Sequence, residues 1–267
     1  MNTPLIKWTG SKRPIAKKIV SYFPKDIDCY YEPFLGGGSV FFELLKSDIS
    51  VKKFRLSDIN GSLIDVFNLV KDNPDKLIRS YREKWEEFQR DKYFYLEQRK
   101  IYNITGCPLC FYFLTRTCYN GTIRYNRRGD FNVSSHFGRP GMAPEKVEEV
   151  IISYSALMQN RDIEFIHETY DSLCDLSEGD VIYLDPPYTN TKALYFGNID
   201  IDRFLYWLGK LKCSWFMNLN GCNSTDNEED VKISYTGKES LSSGNSSFSR
   251  MKKKQVKVTE YFYYRIA

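Results

Sequence analysis

Hydrophobic and polar positions in the first sixty residues switch between helical and strand patterns. Pro14 to Tyr22 predicts a helix opened by proline near its first turn, and Cys29 to Phe34 predicts a short strand. Leu35-Gly36-Gly37-Gly38 is a turn, after which Ser39 to Lys46 predicts a helix that Ser39 can cap. Lys53 to Leu56 reads as the next strand and ends at Ser57-Asp58. Strand, helix and strand in that order form a βαβ unit, the beginning of an open parallel sheet.

The middle of the chain follows another rule. Ser62 to Val70 and Asp75 to Tyr102 are long, charged and helix-compatible with no strand between them, so a mainly helical region interrupts the sheet. Leu109 to Thr117 predicts a compact apolar helix after Pro108. Thr122 to Val133 then alternates around Arg127-Arg128-Gly129-Asp130, which predicts a hairpin. Pro144 to Met158 resumes a helix, with apolar positions at Val147, Val150, Ile151 and Leu157. Strand patterns return at Ile163 to Ile166, Asp180 to Leu184 and Ser214 to Leu219, with a helix near Ile201 to Leu211. Ser224 to Ser249 is polar and Ser-rich and reads as a mobile loop, and Gln255 to Ile266 as a final strand, antiparallel at the sheet edge.

Composition narrows the class. With 42% hydrophobic and 27% charged residues in 267, the chain is neither disordered nor fibrous. No run approaches the roughly 18 apolar residues of a membrane span, and Lys7 interrupts the place where a signal peptide would continue. A soluble, cytoplasmic protein is expected. Seven cysteines, an odd number spread from Cys29 to Cys222, suit reduced thiols better than a disulfide framework. The lone Cys107-x-x-Cys110 has no second pair at zinc-ribbon spacing, so no metal is expected. Net charge is only +4, but its excess is local. Arg116, Arg124, Arg127, Arg128 and Arg139 share 24 residues with a single acid, and a second cluster runs through Arg250, Lys252, Lys253, Lys254 and Lys257.

Two strand ends carry chemistry. After the first strand, Phe34 to Gly38 places glycines before a helix, where a ligand can approach the backbone closely and helix N–H groups are unpaired. Asp58 follows Gly36 by 22 residues at the end of the next strand, where a carboxylate can accept both ribose hydroxyls of a nucleoside cofactor. The alternative is an exposed Asp capping the segment before Asn60. The second strand end is Asp185-Pro186-Pro187-Tyr188, behind the apolar run Val181 to Leu184. Two prolines remove two N–H donors and leave carbonyl acceptors. Asp185 and the Pro186 carbonyl can therefore accept both hydrogens of an exocyclic amine and free its lone pair for an electrophilic methyl, while Tyr188 stacks on the ring.

With these residues in view, the chain resembles the Dam-type (D12 class, α group) DNA adenine N6-methyltransferases over nearly its whole length. The resemblance is carried by Lys7-Trp8-Thr9-Gly10-Ser11-Lys12, Glu32 to Ser39, Ser57-Asp58-Ile59-Asn60, Tyr119-Asn120-Gly121, Arg124-Tyr125-Asn126, Gly129 to Val133 and Asp185 to Tyr188. It implies an α/β fold: a Rossmann-like, S-adenosylmethionine-dependent methyltransferase sheet with an inserted helical target-recognition domain carrying a β-hairpin. The expected division is a catalytic domain of residues 1–60 and 149–267, with residues 61–148 as the DNA-binding domain.

By motif position, the resemblance implies that Trp8, Lys12, Phe34, Gly36, Asp58, Tyr170 and Asp185 contact S-adenosylmethionine (SAM) or frame its pocket. Asp185, Pro186, Pro187 and Tyr188 then form the catalytic tetrapeptide. It further implies that Tyr119, Asn120 and Arg124 probe the DNA around an extruded base and read a guanine, with Lys7, Arg127 and Arg128 as phosphate or base-edge contacts. An aromatic side chain can fill the gap a flipped base leaves, and arginine suits bidentate pairing to guanine O6 and N7. Thr122 and Ser134-Ser135-His136 depart from the family's apolar and Pro-aromatic-Gly patterns. GATC is thus one candidate among short adenine-containing sites.

The expected activity is site-specific methylation of adenine N6 in double-stranded DNA, in a bacterial cell or, for a phage-encoded enzyme, in the host cytoplasm. A cognate restriction endonuclease is a candidate partner. Cytosine C5 methylation would need a nucleophilic cysteine, usually in Pro-Cys, and no proline here precedes a cysteine. N4-cytosine methylation and a catalytically silent DNA-binding relative are the alternatives.

Overall fold

A computed structural model describes residues 3–136, 141–187, 199–220, 234–245 and 257–267. Strands β1 (Asp26–Glu32), β2 (Ser50–Asp58), β3 (Ile163–His167), β4 (Val181–Leu184), β5 (Ser214–Asn220), β6 (Gly237–Asn245) and β7 (Lys257–Arg265) form one sheet, in the order β3-β2-β1-β4-β5-β7-β6. The first five are parallel, and β7 runs antiparallel to both β5 and β6. The chain steps outward from β1 to β2 to β3, then returns to lay β4 on the other side of β1. That reversal is a topological switch point, and it opens a crevice at the C-terminal ends of β1 and β4.

Side-chain alternation explains how the sheet is covered. Every residue of β4 is buried, as expected of a parallel strand packed on both faces. Val181 and Tyr183 join the core on one face, whereas Ile182 and Leu184 join the core on the other, with Phe204, Leu208 and Trp215. Helix α1 (Ala16–Val20) packs on α2 (Ser39–Leu44), and α8 (Ile201–Lys210) covers the second face through Phe204 and Leu208. Between β2 and β3 come α3 (Gly61–Asp72), α4 (Pro74–Arg90), α5 (Phe94–Thr105), α6 (Pro108–Thr117) and α7 (Pro144–Met158). Prolines in the first turn open α4, α6 and α7. Helix α3 lies against β2 and β3, so the helical region shares one continuous core with the first face of the sheet.

Several expectations change. The helix expected over Asp75 to Tyr102 is two, because Asp91 turns extended after α4 and its carboxylate accepts the Tyr93 N–H at 2.8 Å. No glycine or proline marks that break. Gly38, with φ of +65°, caps α2, while the Ser39 hydroxyl meets that of Ser11 at 2.7 Å. Part of the supposed mobile loop, Gly237–Asn245, is strand β6 at the edge of the sheet, and β7 therefore lies inside it. Residues 224–233 and 246–249 of that loop, Arg139, Cys222 and the basic residues Arg250 to Lys254 lie outside the described residues. The hairpin forms around a tight turn, in which the Asn126 carboxamide accepts from Arg128 N and Asp130 N, but its arms pair only through single bridges, Tyr125 with Phe131 and Cys118 with Ser135. Arg116 leaves the basic surface cluster altogether: it is 2% exposed and donates to the Pro4 carbonyl at 3.1 Å.

Candidate active site

The C-terminal ends of β1, β2 and β4 enclose a cavity of about 300 Å³. Glu32, Phe34 and Gly36 come from the end of β1, Asp58 from β2, and Asp185, Pro186 and Pro187 from β4. Trp8 and Lys12 close it from the segment before α1, and Tyr170 from a single turn after β3. Every described residue of the expected cofactor and catalytic sets thus faces one space. Tyr188 lies outside the described residues.

The glycine turn has a specific cause. Gly36 has φ of +49°, and a Cβ there would sit 2.7 Å from the Trp8 indole nitrogen, so only glycine lets the indole lie on the turn. Its N–H donates to Asp58 Oδ2 at 2.9 Å, and Asn60 N donates to Asp58 Oδ1 at 2.9 Å. Asp58 is 8% exposed. It therefore clamps two loops while lining the cavity, and the reading of it as an exposed cap does not hold. Burial raises its pKa against the pull of those two N–H groups.

Lys12 Nζ meets Asp185 Oδ1 at 2.8 Å and also donates to the Gly10 carbonyl at 3.1 Å. The lysine side chain is 3% exposed and the aspartate 21%, so the pair closes off one side and remains reachable on the other. Glu32 is buried beside them, and Tyr30 Oη donates to its Oε2 at 2.7 Å. Desolvation pushes its carboxyl up to about 8, with Asp185 and Asp58 adding repulsion. Phe34 and Tyr170 stack with centroids 5.7 Å apart, and Phe204 and Trp207 back Tyr170 edge-on. Phe34 and Tyr170 add aromatic surface to the lining of the cavity that the carboxylates share.

Sequence reasoning gave no role to Glu32, although Glu-Pro-Phe at a strand end was its signal. It also missed Ile123 and Tyr125, which bring the hairpin to the rim of the cavity, and Arg203, whose Nη2 pairs with Asp171 Oδ2 at 2.5 Å. The residues expected at DNA are outside the cavity and exposed. The stem of Lys7 fills the space above Gly121, so any Cβ there would collide with it, and Lys7 is thereby fixed to the turn that carries Tyr119 and Asn120. Tyr119 is 46% exposed and stacks on His136 at 5.1 Å and 10°. Asn120 is held at φ of +54°. Arg124 Nε donates to Asn132 Oδ1 at 2.9 Å, whereas Arg127 and Arg128 project from the turn.

A mostly parallel sheet of seven strands, with a cavity at its switch point that carries the Glu32, Asp58 and Asp185 carboxylates and Asp-Pro-Pro on its rim, defines a Rossmann-like methyltransferase. Residues 8–204 match the model of the D12 class N6 adenine-specific DNA methyltransferases, and the chain belongs to that family. It is 38% identical to the DNA adenine methylase of Serratia marcescens over 198 residues, which are 72% of this chain and 69% of that one. Against the DNA adenine methylase of Escherichia coli K12 the identity is 36%, over 72% and 67% of the two chains. The Type II methyltransferase M.MjaIII of Methanocaldococcus jannaschii is 34% identical, over 69% and 68%. The reaction is methyl transfer to adenine N6 in DNA, and the N4-cytosine and silent alternatives are not favoured. No described helix is long and apolar enough to cross a membrane.

Proposed function

We propose that the methyl donor is S-adenosylmethionine, seated in the switch-point cavity, and that the target adenine is flipped out of double-stranded DNA onto Asp185. The observation that carries this is the convergence of Asp185, Asp58 and the Gly36 turn, from three strand ends, on one cavity. The donor set fits a cationic nucleoside. Phe34 and Tyr170 offer aromatic faces to a base, Asp58 has lone pairs left for ribose hydroxyls after binding two N–H groups, and the Gly36 turn admits close approach of a ligand to the backbone. When bound, SAM supplies an electrophilic methyl group.

The chain's own residues do the rest. Asp185 and the Pro186 carbonyl accept the two amine hydrogens of the target adenine, which leaves its lone pair free to attack. Lys12 holds the Asp185 carboxylate in place through one oxygen, and Tyr188, next in sequence to Pro187, stacks on the base. On this reading residues 1–60 and 149–267 carry the transfer chemistry. Residues 61–148 carry DNA recognition, with Tyr119, Asn120 and Arg124 around the flipped base and Lys7, Arg127 and Arg128 along the backbone or base edges. The enzyme works in the cytoplasm, where its DNA is. Two relatives named Type II methyltransferases support a cognate restriction endonuclease as partner.

The test is to incubate purified protein with plasmid DNA and methyl-labelled SAM, then digest the DNA to nucleosides. Label in N6-methyladenine is expected. Asp185→Asn, which keeps an acceptor for Lys12, should lose roughly a hundredfold or more in rate. Activity within tenfold of wild type would remove Asp185 from the chemistry.

A further inference from the structure

Asn60 stands between the cavity and the hairpin and binds both. Its backbone N–H donates to Asp58 Oδ1 at 2.9 Å, and its Oδ1 caps α3 by accepting from Leu63 N at 3.1 Å. The other end of its carboxamide, Nδ2, reaches 65 residues along the chain and donates to Tyr125 Oη at 2.9 Å. The Tyr125 hydroxyl also meets that of Tyr102, on α5, at 3.1 Å. Asn60 is 6% exposed and both tyrosines 7%. Water does not compete for these bonds, and each group polarises the next.

The path is continuous. Gly36 and Asn60 donate to the two oxygens of one carboxylate, Asn60 donates to Tyr125, and Tyr125 forms the Phe131 rung of the hairpin immediately beside Arg124. Asn103, also on α5, grips the far arm of the hairpin through both the N–H and the carbonyl of Phe131, at 2.8 and 3.1 Å. A ligand hydroxyl bound by Asp58 adds a third partner to a carboxylate that already orients Asn60. Fixing that carboxylate fixes the donor to Tyr125, and with it the arm that presents Arg124.

We infer that Asn60 and Tyr125 are positioning residues that register the recognition hairpin against the donor cavity, so that occupying the cavity tightens DNA binding and DNA tightens donor binding equally. This rests on the proposed function, in which Asp58 faces the donor and the hairpin faces DNA. Neither residue need touch the reacting atoms. Their effect is on the coupling between two bindings.

The experiment measures S-adenosylhomocysteine, a donor probe that cannot react, by calorimetric titration with and without a duplex carrying the methylated site. For the wild type, the duplex should tighten the probe by about fivefold or more. Tyr125→Phe removes one hydroxyl without changing shape. It should bring that ratio below about twofold while the probe alone binds within about threefold of wild type. Asn60→Ser keeps an oxygen to cap α3 but cannot reach Tyr125, and should give the same loss; the double variant should add nothing further. Tyr102→Phe, which spares the Asn60 bond, should keep most of the coupling. If the wild type binds neither probe nor duplex, the functional reading fails and takes this inference with it. If it binds both, a wild-type ratio of one, or an unchanged ratio in Tyr125→Phe, overturns the inference alone. So does a loss of melting temperature and probe affinity at unchanged ratio, which would make the two residues structural only.

Discussion

Glu32 gives the sharpest physical prediction, because its burial makes folding depend on pH in a direction opposite to most carboxylates. It is 2% exposed, accepts from Tyr30 Oη at 2.7 Å and lies near Asp58 and Asp185. Desolvation outweighs the hydrogen bonds from Tyr30 and the Phe41 backbone and carries its pKa from 4.5 to about 8. Between those two values the folded chain holds a proton that the unfolded chain has released. Stability is therefore greatest below the lower value and falls as pH rises, by about 1.4 kcal/mol per unit, until the folded group ionises. Over the whole window the loss is on the order of 5 kcal/mol. Glu32→Gln keeps an acceptor for Tyr30 and has no proton to lose, so its stability should stay flatter from pH 5 to 9 and exceed the wild type's at the alkaline end. Asp58, whose pKa is also raised, acts in the same direction in both proteins and largely cancels in the difference. Urea unfolding of the two proteins at half-unit pH steps measures it. Parallel curves would mean that Glu32 is already ionised in the folded chain.

The other predictions follow from the same contacts. Asp58→Ala should weaken SAM by about 1 to 3 kcal/mol and also lower the melting temperature, since Gly36 N and Asn60 N lose their acceptor together; an unchanged SAM dissociation constant would leave Asp58 as a clamp only. Arg124→Ala should cost about 1 to 3 kcal/mol on cognate DNA and relax preference at one base pair. Arg127→Ala and Arg128→Ala should instead weaken all sequences alike and reduce the salt slope by roughly one unit. Methylation profiles by single-molecule sequencing compare them: an unchanged site preference in Arg124→Ala would show that this arginine reads no base.

Local rules carried the fold as far as local signals reached. Proline at the starts of α6 and α7 and the fully apolar run of β4 made those elements legible, because each signal acts within one turn or one strand. The break at Asp91 was not, since it rests on a carboxylate bonding its own backbone, which an aspartate in a continuous helix would not reveal. Strand β6 was hidden for a different reason. Its serines satisfy no alternation, and it exists because β7 offers it a ladder from Gly237 to Asn245. An edge strand recruited by a neighbour is a tertiary fact.

The site shows the same division between residue and partner. Asp58, Gly36 and Asp185 were legible as chemistry because parallel strands that reverse order bring their C-terminal ends to one place, and a turn after a strand is where such residues must sit. What each one binds was not. Lys12 and Asp185 are 173 residues apart, and nothing near either names the other. Arg116 read as part of a basic surface because charge clustering is counted along the chain, whereas the fold spends that arginine inside, on Pro4 and Met142. Asp58 is the instructive case. Its spacing from Gly36 suggested a ligand, and a capping role looked like the competing explanation. The geometry makes the two compatible, because a carboxylate accepts several hydrogen bonds and the two N–H groups that fix Asp58 leave acceptor capacity on a side chain that lines the cavity. The bonds that hold such a group in place are what make its orientation toward a ligand reproducible, so a structural role at a strand end is no argument against a binding one.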